Sequence, residues 1–320
     1  MKEIFNKQKE FFDKILREYK DEKRVERLKD YALGISKNVM DALAAFDYDI
    51  SKEHKTNSDL YQKIEAVDAS VDIIKYALDI VLEYDINADE FKKLFMQKSR
   101  TVEQKFNQRK FIEEKFDKYR YAFILDIDGV IADIVKAYKY WFSRETRIDF
   151  QRFNQIEEWK IKNIDEYKKI KEVYRLSGYK SVMPEVEGTR ELLEFCHSKG
   201  IVVLLSNRPV KAYPIIYEYT VEWLYNKKID NLVDMIYFED LGDKRYFFDR
   251  FSEKRVFFFE DNPYNLIDSG ERENVHTIYV RNETNSFTKL EKKVFKVSSL
   301  YEALEFLKAV EFNEKNNDFK

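Results

Sequence analysis

Three short, almost wholly apolar runs, each ending in polar chemistry, constrain this chain more than any other feature. They are residues 121–126 (YAFILD), 201–205 (IVVLL) and 256–259 (VFFF), with residues 277–280 as a fourth of the same kind. A strand that is apolar at every position is buried on both faces, the condition of a parallel strand covered by helices. Helical stretches such as Thr189–Lys199 separate the runs. Strands alternating with helices predict a doubly wound parallel sheet, in which ligands sit beyond the carboxyl ends of the strands. At those ends the first run continues as Asp126-Ile127-Asp128-Gly129-Val130, two carboxylates one residue apart followed by a glycine for a sharp turn. The second continues as Ser206-Asn207-Arg208-Pro209 and the third as Glu260-Asp261-Asn262-Pro263. Lys244 lies between the last two, with Lys254 as a rival in the same segment.

A strand ending DxD, a strand ending in Ser or Thr, a Lys, and a strand ending in paired acids, in that order, resemble the four motifs of the haloacid dehalogenase (HAD) superfamily. The match spans residues 121–265, and an apolar strand precedes each strand-end motif. The resemblance implies a HAD-like phosphatase over residues 119–320, with a cap domain inserted after the first motif. Residues 134–184 occupy that place, with a helical pattern and the aromatic residues Tyr138, Tyr140, Trp141, Phe142, Phe150, Phe153 and Trp159. These rings form a small cap core, or one or two of them stack on a base. DIDGVIAD with a small helical cap also resembles the 5'-(deoxy)ribonucleotidases of the superfamily.

The roles implied follow from phosphoryl transfer, which needs an in-line nucleophile, a proton donor for the leaving oxygen and cations around the transferring group. Asp126 is the expected nucleophile, giving an aspartyl-phosphate, and Asp128 the expected general acid and base. Ser206, Asn207 and Lys244 are the expected phosphate contacts, although Asn207 and Arg208 equally suit a turn. Mg2+ is the expected cofactor, with Asp126, Asp128 through its carbonyl, and Asp261 as oxygen ligands. Glu260 is either a further ligand or an acid standing behind them. Asp133 suits a helix cap.

Before residue 119 the pattern is different. Residues 1–118 hold a single glycine, Gly34, and no proline, and read as long helices. On the first, Phe5, Phe12, Ile15, Leu16 and Tyr19 share a face. On the third, Leu60, Ile64, Val67, Val71, Ile74, Leu78 and Val81 recur at steps of four and three, a stripe expected in a bundle core. Asn87 with Glu90 three residues later predicts a capping box opening a fourth helix. Residues 111–119 are a charged linker suited to continuous helix.

Residues 3–109 resemble the all-α nucleoside triphosphate pyrophosphatases of the dimeric dUTPase and MazG-like group. The resemblance rests on EIFNKQKEFFDKI, LGISKNVMDALAAF and QKIEAVDASVDIIKYALDIVLEYDINADEFKKLFMQK. It implies a carboxylate cage for Mg2+ built from an ExxE and an ExxD, since residues i and i+3 share a helix face. Glu65 and Asp68 fit the ExxD, with Asp72 a turn further on. The first pair departs from the family and reads Asn38 and Asp41. The aromatic-lysine segment survives loosely as Phe46, Tyr48, Lys52 and Lys55, and the basic residues after the fourth helix as Lys98 and Arg100.

The expected architecture is therefore an all-α domain over residues 1–115 and a HAD-like domain over 119–320, with the cap at about 134–184. The expected activity is hydrolysis of nucleoside monophosphates by the second domain. The first binds or hydrolyses a nucleoside triphosphate and makes a homodimer. Two alternatives stand: a phosphatase for another small phosphoester or a polynucleotide 3'-phosphate with the bundle as scaffold, and a non-catalytic nucleotide sensor. A net charge of −3 argues against a nucleic-acid partner. A lone cysteine, Cys196, a charged N-terminus and no apolar run of membrane-span length predict a cytoplasmic protein without membrane contact.

Overall fold

The structure, a computed structural model, describes residues 2–18, 23–45, 60–239, 244–267, 271–285 and 294–310. Two compact units divide the chain, Met1–Gln97 and Lys98–Lys320.

The first unit comprises α1 (Lys2–Glu18), α2 (Arg24–Ala45), α3 (Leu60–Glu83) and the first part of α4 (Ala88–Glu114). The box opening α4 is complete. Asn87 Oδ1 accepts from the backbone N–H groups of Asp89 and Glu90, each at 3.0 Å, and Asn87 N donates to Glu90 Oε2 at 3.0 Å. Phe5 and Phe12 of α1, Tyr31 of α2, and Leu78 and Leu82 of α3 form the buried cluster. Two buried acids share that end of α3. Asp79 accepts from Gln8 Nε2 at 2.7 Å, and Glu83 takes the Arg27 fork at 2.6 and 3.0 Å.

Among its described residues, the stripe expected along α3 is buried at its C-terminal end and exposed before it. Val67, Val71 and Ile74 are 63%, 43% and 54% exposed, whereas Leu78 is 4% exposed. The described rings of α1 meet α3 only around Leu78 and Leu82, so the N-terminal half of the stripe has no described cover. Tyr19, Phe46, Tyr48, Lys52 and Lys55 lie outside the described residues, as do the side chains of Ile15, Asp41, Leu60, Ile64 and Glu65.

The second unit is an α/β layer structure. Its sheet holds β1 (Tyr121–Leu125), β2 (Ile201–Ser206), β3 (Met235–Phe238), β4 (Arg255–Glu260), β5 (Val275–Val280) and β6 (Phe295–Val297). All pairings are parallel, in the order β3-β2-β1-β4-β5-β6. This is the HAD-like doubly wound sheet expected from the sequence, with the order reversing between β1 and β4. Side chains sort with the strand period of two. Phe123, Leu125, Val202, Leu204, Phe257 and Phe259 enter one core. Ala122, Ile124, Val203, Leu205, Val256 and Phe258 enter the other, with Phe247, Phe248 and Phe251. Each fully buried Leu, Ile, Val or Phe contributes roughly 1.5–3 kcal/mol of transfer free energy, so the sheet is a rigid platform.

Three helices, α5 (Ile134–Thr146), α6 (Phe153–Lys162) and α7 (Ile164–Leu176), leave the platform after β1 as the cap. The chain returns through α8 (Thr189–Lys199) into β2, then α9 (Ile215–Lys227), and closes with α10 (Leu300–Ala309) after β6. The segment read as a linker is α4 up to Glu114 and then a 3-10 turn, Phe116–Lys118. Phe111 and Phe116 pack on the second core. Among the described residues no helix is long and apolar enough to cross a membrane.

Candidate active site

The ladder between β1 and β4 runs one residue past β1, with Asp126 N donating to Phe259 O at 2.9 Å. This fixes Asp126 at the strand mouth. The chain then turns sharply: Ile131 N and Ala132 N both donate to Ile127 O, and Gly129 N donates to Ala132 O at 2.9 Å. Gly129 has φ +94°, and a Cβ there would lie 2.0 Å from Asp261 Oδ2. Only glycine allows both the turn and the approach of the acid from β4. Asp133 caps α5, accepting from Lys136 N at 2.9 Å, as its position suggested.

Lys244 is buried between two carboxylates, 2.8 Å from Asp126 Oδ1 and 2.7 Å from Glu260 Oε2. Lys254, its rival in the sequence, instead donates to the carbonyls of Phe116 at 2.9 Å and Tyr119 at 2.7 Å. Burial alone would lower the Lys244 ammonium, but Asp126 and Glu260 outweigh it and raise its pKa. Glu260 also accepts from the backbone N–H groups of Asp261 at 3.1 Å and Asn262 at 2.9 Å, and from Asn265 Nδ2 at 3.2 Å. Its oxygens are thus engaged by the protein, and it stands behind the site as an anchor for Lys244.

Asp126, Glu260 and Asp261 offer oxygens within 4.8 Å of one another. Burial, opposed by Lys244, pushes the Asp126 carboxyl up to about 7. Asp261 is raised well above the carboxylate range by burial and by repulsion from Asp126 and Glu260. Carboxylates crowded together in this way suit a hard divalent cation, which favours oxygen donors and removes the repulsion. With Glu260 engaged, Asp126 and Asp261 are the carboxylates of this group that face the cavity. Two residues that the sequence did not single out hold Asp261. Asn282 Nδ2 donates to Asp261 Oδ2 at 2.8 Å and to Gly129 O at 3.2 Å, and Asn285 Nδ2 donates to Asp261 O at 2.8 Å.

Asp128 is held by two cations. Arg208 grips it with Nε at 2.9 Å and Nη2 at 2.6 Å, and Lys180 Nζ lies 3.4 Å away. Burial would raise the Asp128 carboxyl, but Arg208 and Lys180 outweigh it and hold it below the ordinary carboxylate range. Burial and Arg208 in turn lower Lys180 to about 8. Thr220 Oγ1 accepts from Arg208 Nη1 at 2.8 Å and so fixes the guanidinium. Ser206, buried at the end of β2, accepts from Arg208 N at 3.4 Å, and Asn207 lines the cavity beside it.

Above these strand ends is a cavity of about 560 Å3, roofed by the cap. That is room for a small organic ligand. Of the cap aromatics, Tyr138 and Phe153 wall it, stacked at 6.1 Å between centroids. Trp141, Phe142 and Phe150 are buried in the cap core, and Tyr140 is exposed. The loop after β5 reaches the cap as well. Glu283 accepts from Phe153 N at 2.7 Å and from Lys139 Nζ at 3.0 Å.

The second constellation proposed from sequence is not assembled by any described contact. Asn38 donates Nδ2 to Gly34 O of its own helix at 2.9 Å, Asp68 is exposed, and Asp72 pairs with Lys75 at 2.8 Å. The side chains of Asp41 and Glu65 are outside the description. Lys98 and Arg100 pair with Glu218 and Glu222 of α9.

Among solved structures the chain is similar to a haloacid dehalogenase-like family hydrolase from Streptococcus pneumoniae, at 13% identity and TM-score 0.42, covering 58% of this chain and 97% of that one. It is similar also to a HAD-superfamily hydrolase, subfamily IA, variant 1, from Geobacter sulfurreducens, at 14% identity and TM-score 0.40, covering 58% and 96%. No curated protein matches the sequence. Residues 120–309, which carry the sheet, the cap and every strand-end motif, match one family throughout. The chain belongs to that family, described as 5' nucleotidase, deoxy (pyrimidine), cytosolic type C protein (NT5C), and is a phosphatase of the HAD type.

Proposed function

We propose that the second unit is a Mg2+-dependent 5'-nucleotidase that cleaves nucleoside monophosphates through an aspartyl-phosphate on Asp126. The observation that carries this reading is the convergence of Asp126, Lys244, Ser206 and Asp261 at the ends of three adjacent strands, beneath a cap that adds Tyr138 and Phe153 to the cavity. Asp126 attacks phosphorus, forming a P–O bond as the bond to the sugar oxygen breaks. Asp128 is the group placed to protonate the leaving alcohol and then to take a proton from the water that releases inorganic phosphate. Arg208 and Lys180 keep Asp128 ionised in the free protein; once the substrate's anion competes for these cations, Asp128 takes up a proton from solvent, the proton it then passes to the leaving oxygen. Lys244 offsets charge between Asp126 and the incoming dianion, and Ser206 and Asn207 take phosphate oxygens. Asp126, Asp261 and the Asp128 carbonyl would hold Mg2+, which would supply charge compensation for the transferring phosphoryl group.

The test is phosphate release from a panel of nucleoside monophosphates with and without Mg2+, together with Asp126→Asn. The nucleotidase reading predicts Mg2+-dependent turnover and a variant below about 1% of wild type with an unchanged melting temperature, since an amide cannot form the intermediate. Turnover of p-nitrophenyl phosphate with none of any nucleotide sinks the substrate assignment. An active variant sinks the nucleophile.

For residues 3–109 the family resemblance supports binding of a nucleoside triphosphate and a homodimer through α3, whose Val67, Val71 and Ile74 are exposed. Asn38 supplies an amide where the cage needs a carboxylate, which favours binding over hydrolysis. A non-hydrolysable triphosphate with Mg2+ should raise the melting temperature by mass action. Light scattering should give twice the chain mass. A flat melting curve removes the first claim and a monomer the second.

A further inference from the structure

The cations of the cavity divide into those that answer a carboxylate and those that do not. Lys244 answers Asp126 and Glu260, while Arg208 and Lys180 answer Asp128. Lys171 and Arg175 also line the cavity, one turn apart on the same face of α7, and neither has a carboxylate partner among the described residues. Their neighbours are rings: Lys171 Nζ lies 5.5 Å from the Tyr167 centroid and the Arg175 guanidinium 5.2 Å from that of Tyr213. Lys160, the next cation along the cap, is already paired with Glu157 at 2.8 Å. Burial, Arg175 and Lys160 lower the Lys171 ammonium more than Glu157, already paired with Lys160, raises it. Like charges four residues apart on a helix repel, and here both are only partly exposed. An arrangement of this kind is relieved by an anion from outside the chain.

The transferable phosphate does not fill this role. It must reach Asp126 at the sheet end, where Lys244, Ser206 and Asn207 already attend it. Lys171 and Arg175 belong to the opposite wall, on the cap. We propose that they form a second anion subsite, and that the substrate is a phosphomonoester bearing a second phosphate, of the nucleoside 3',5'-bisphosphate class. An ammonium beside a guanidinium suits a phosphate, the planar fork giving direction and the ammonium a point charge. The stacked Tyr138 and Phe153 lie in the same cavity and offer an apolar surface to the nucleoside. The inference rests on the nucleotidase reading for the orientation of the ligand, but the subsite itself does not need turnover.

Binding therefore tests it. Thymidine 5'-monophosphate and thymidine 3',5'-bisphosphate are titrated by calorimetry into full-length Asp126→Asn protein, alone and combined with Lys171→Met/Arg175→Met or Lys171→Glu/Arg175→Glu. The bisphosphate should bind about 10- to 100-fold more tightly than the monophosphate, as two charge-assisted contacts allow. The Met pair should bring the ratio close to one, and the Glu pair should invert it. Equal affinities at the outset, or an advantage that survives both pairs, overturns the subsite. An advantage lost only with the charges, alongside wild-type protein that hydrolyses no nucleotide, keeps the subsite and removes the nucleotidase reading. If neither nucleotide binds, both fall.

Discussion

Replacing Lys244 by Met is the sharpest test of how the site is held together. The side chain is fully buried, and Met fills similar length without the charge. Its removal leaves Asp126 and Glu260 facing each other without the cation that touches both, at 2.8 and 2.7 Å. Deleting one partner of a buried ion pair costs about 3–5 kcal/mol. For a unit of this size each kcal/mol moves the midpoint by roughly 2–4 °C, so the melting temperature should fall by about 6–20 °C. The loss should depend on pH. Asp126 already holds its proton up to about 7, above an unfolded aspartate, and without Lys244 it holds it more tightly. Between the unfolded and folded values the folded chain binds more protons, so its stability decreases as pH rises. The deficit should therefore be largest above pH 7 and shrink toward pH 5. Adding Glu260→Gln removes the second charge and should recover about half of the lost stability without restoring turnover. The measurements are thermal unfolding in EDTA from pH 5 to 8, and phosphate release with Mg2+. A shift under about 2 °C, or no recovery in the double variant, refutes the claim that Lys244 is the electrostatic keystone.

Lys254→Met removes only the tie to the carbonyls of Phe116 and Tyr119, so it should lower stability by about 1–3 kcal/mol and leave kcat within two-fold; a loss of turnover comparable to that of Lys244→Met would mean the wrong lysine had been placed at the site. Asn282→Ala frees Asp261 Oδ2 and should raise the Mg2+ concentration for half-maximal rate about 10-fold, within the range for groups that orient metal ligands; an unchanged Mg2+ dependence removes Asn282 from the site. Gly129→Ala forces a positive φ on a residue with a Cβ that would lie 2.0 Å from Asp261 Oδ2, and should abolish turnover while destabilising the unit by about 1–2 kcal/mol or more; wild-type turnover would show that the turn relaxes without disturbing Asp261.

Four strands were legible in the sequence and two were not, and their places in the sheet explain the difference. β2, β1, β4 and β5 are flanked by a neighbour on each side, and burial on both faces writes an unbroken apolar run. The edge strands β3 and β6 are partly open, and segments such as MIYF and FKV carry too little pattern to distinguish. The same logic separates the site residues. Asp126, Asp128, Ser206, Glu260 and Asp261 announce themselves because each follows a buried strand. Lys180, Asn282 and Asn285 reach the site residues from short turns and loops, where one lysine or asparagine looks like any other, and only distance reveals them. The motif lysine could be chosen only when the structure put Lys244 against Asp126 and Lys254 against backbone carbonyls. In the helical unit, periodicity marked a stripe along α3 as core, but its described members Val67, Val71 and Ile74 are exposed, because periodicity cannot say which part of a stripe this chain itself covers.

One loop of five residues, 281–285, touches both halves of the reaction chamber: Asn282 and Asn285 steady Asp261, while Glu283 takes the N–H of Phe153 and the ammonium of Lys139 from the cap. Coupling between two ligands is reciprocal. A cation that drew Asp261 into place would steady the loop from which Glu283 meets the cap, and a ligand that steadied the cap would then tighten the grip on the cation by the same factor. Ion affinity and cap contact would be two gauges of a single equilibrium. A fluorophore on the cap would then report the arrival of an ion that it never approaches, and Glu283→Gln would uncouple the two gauges while leaving each component present.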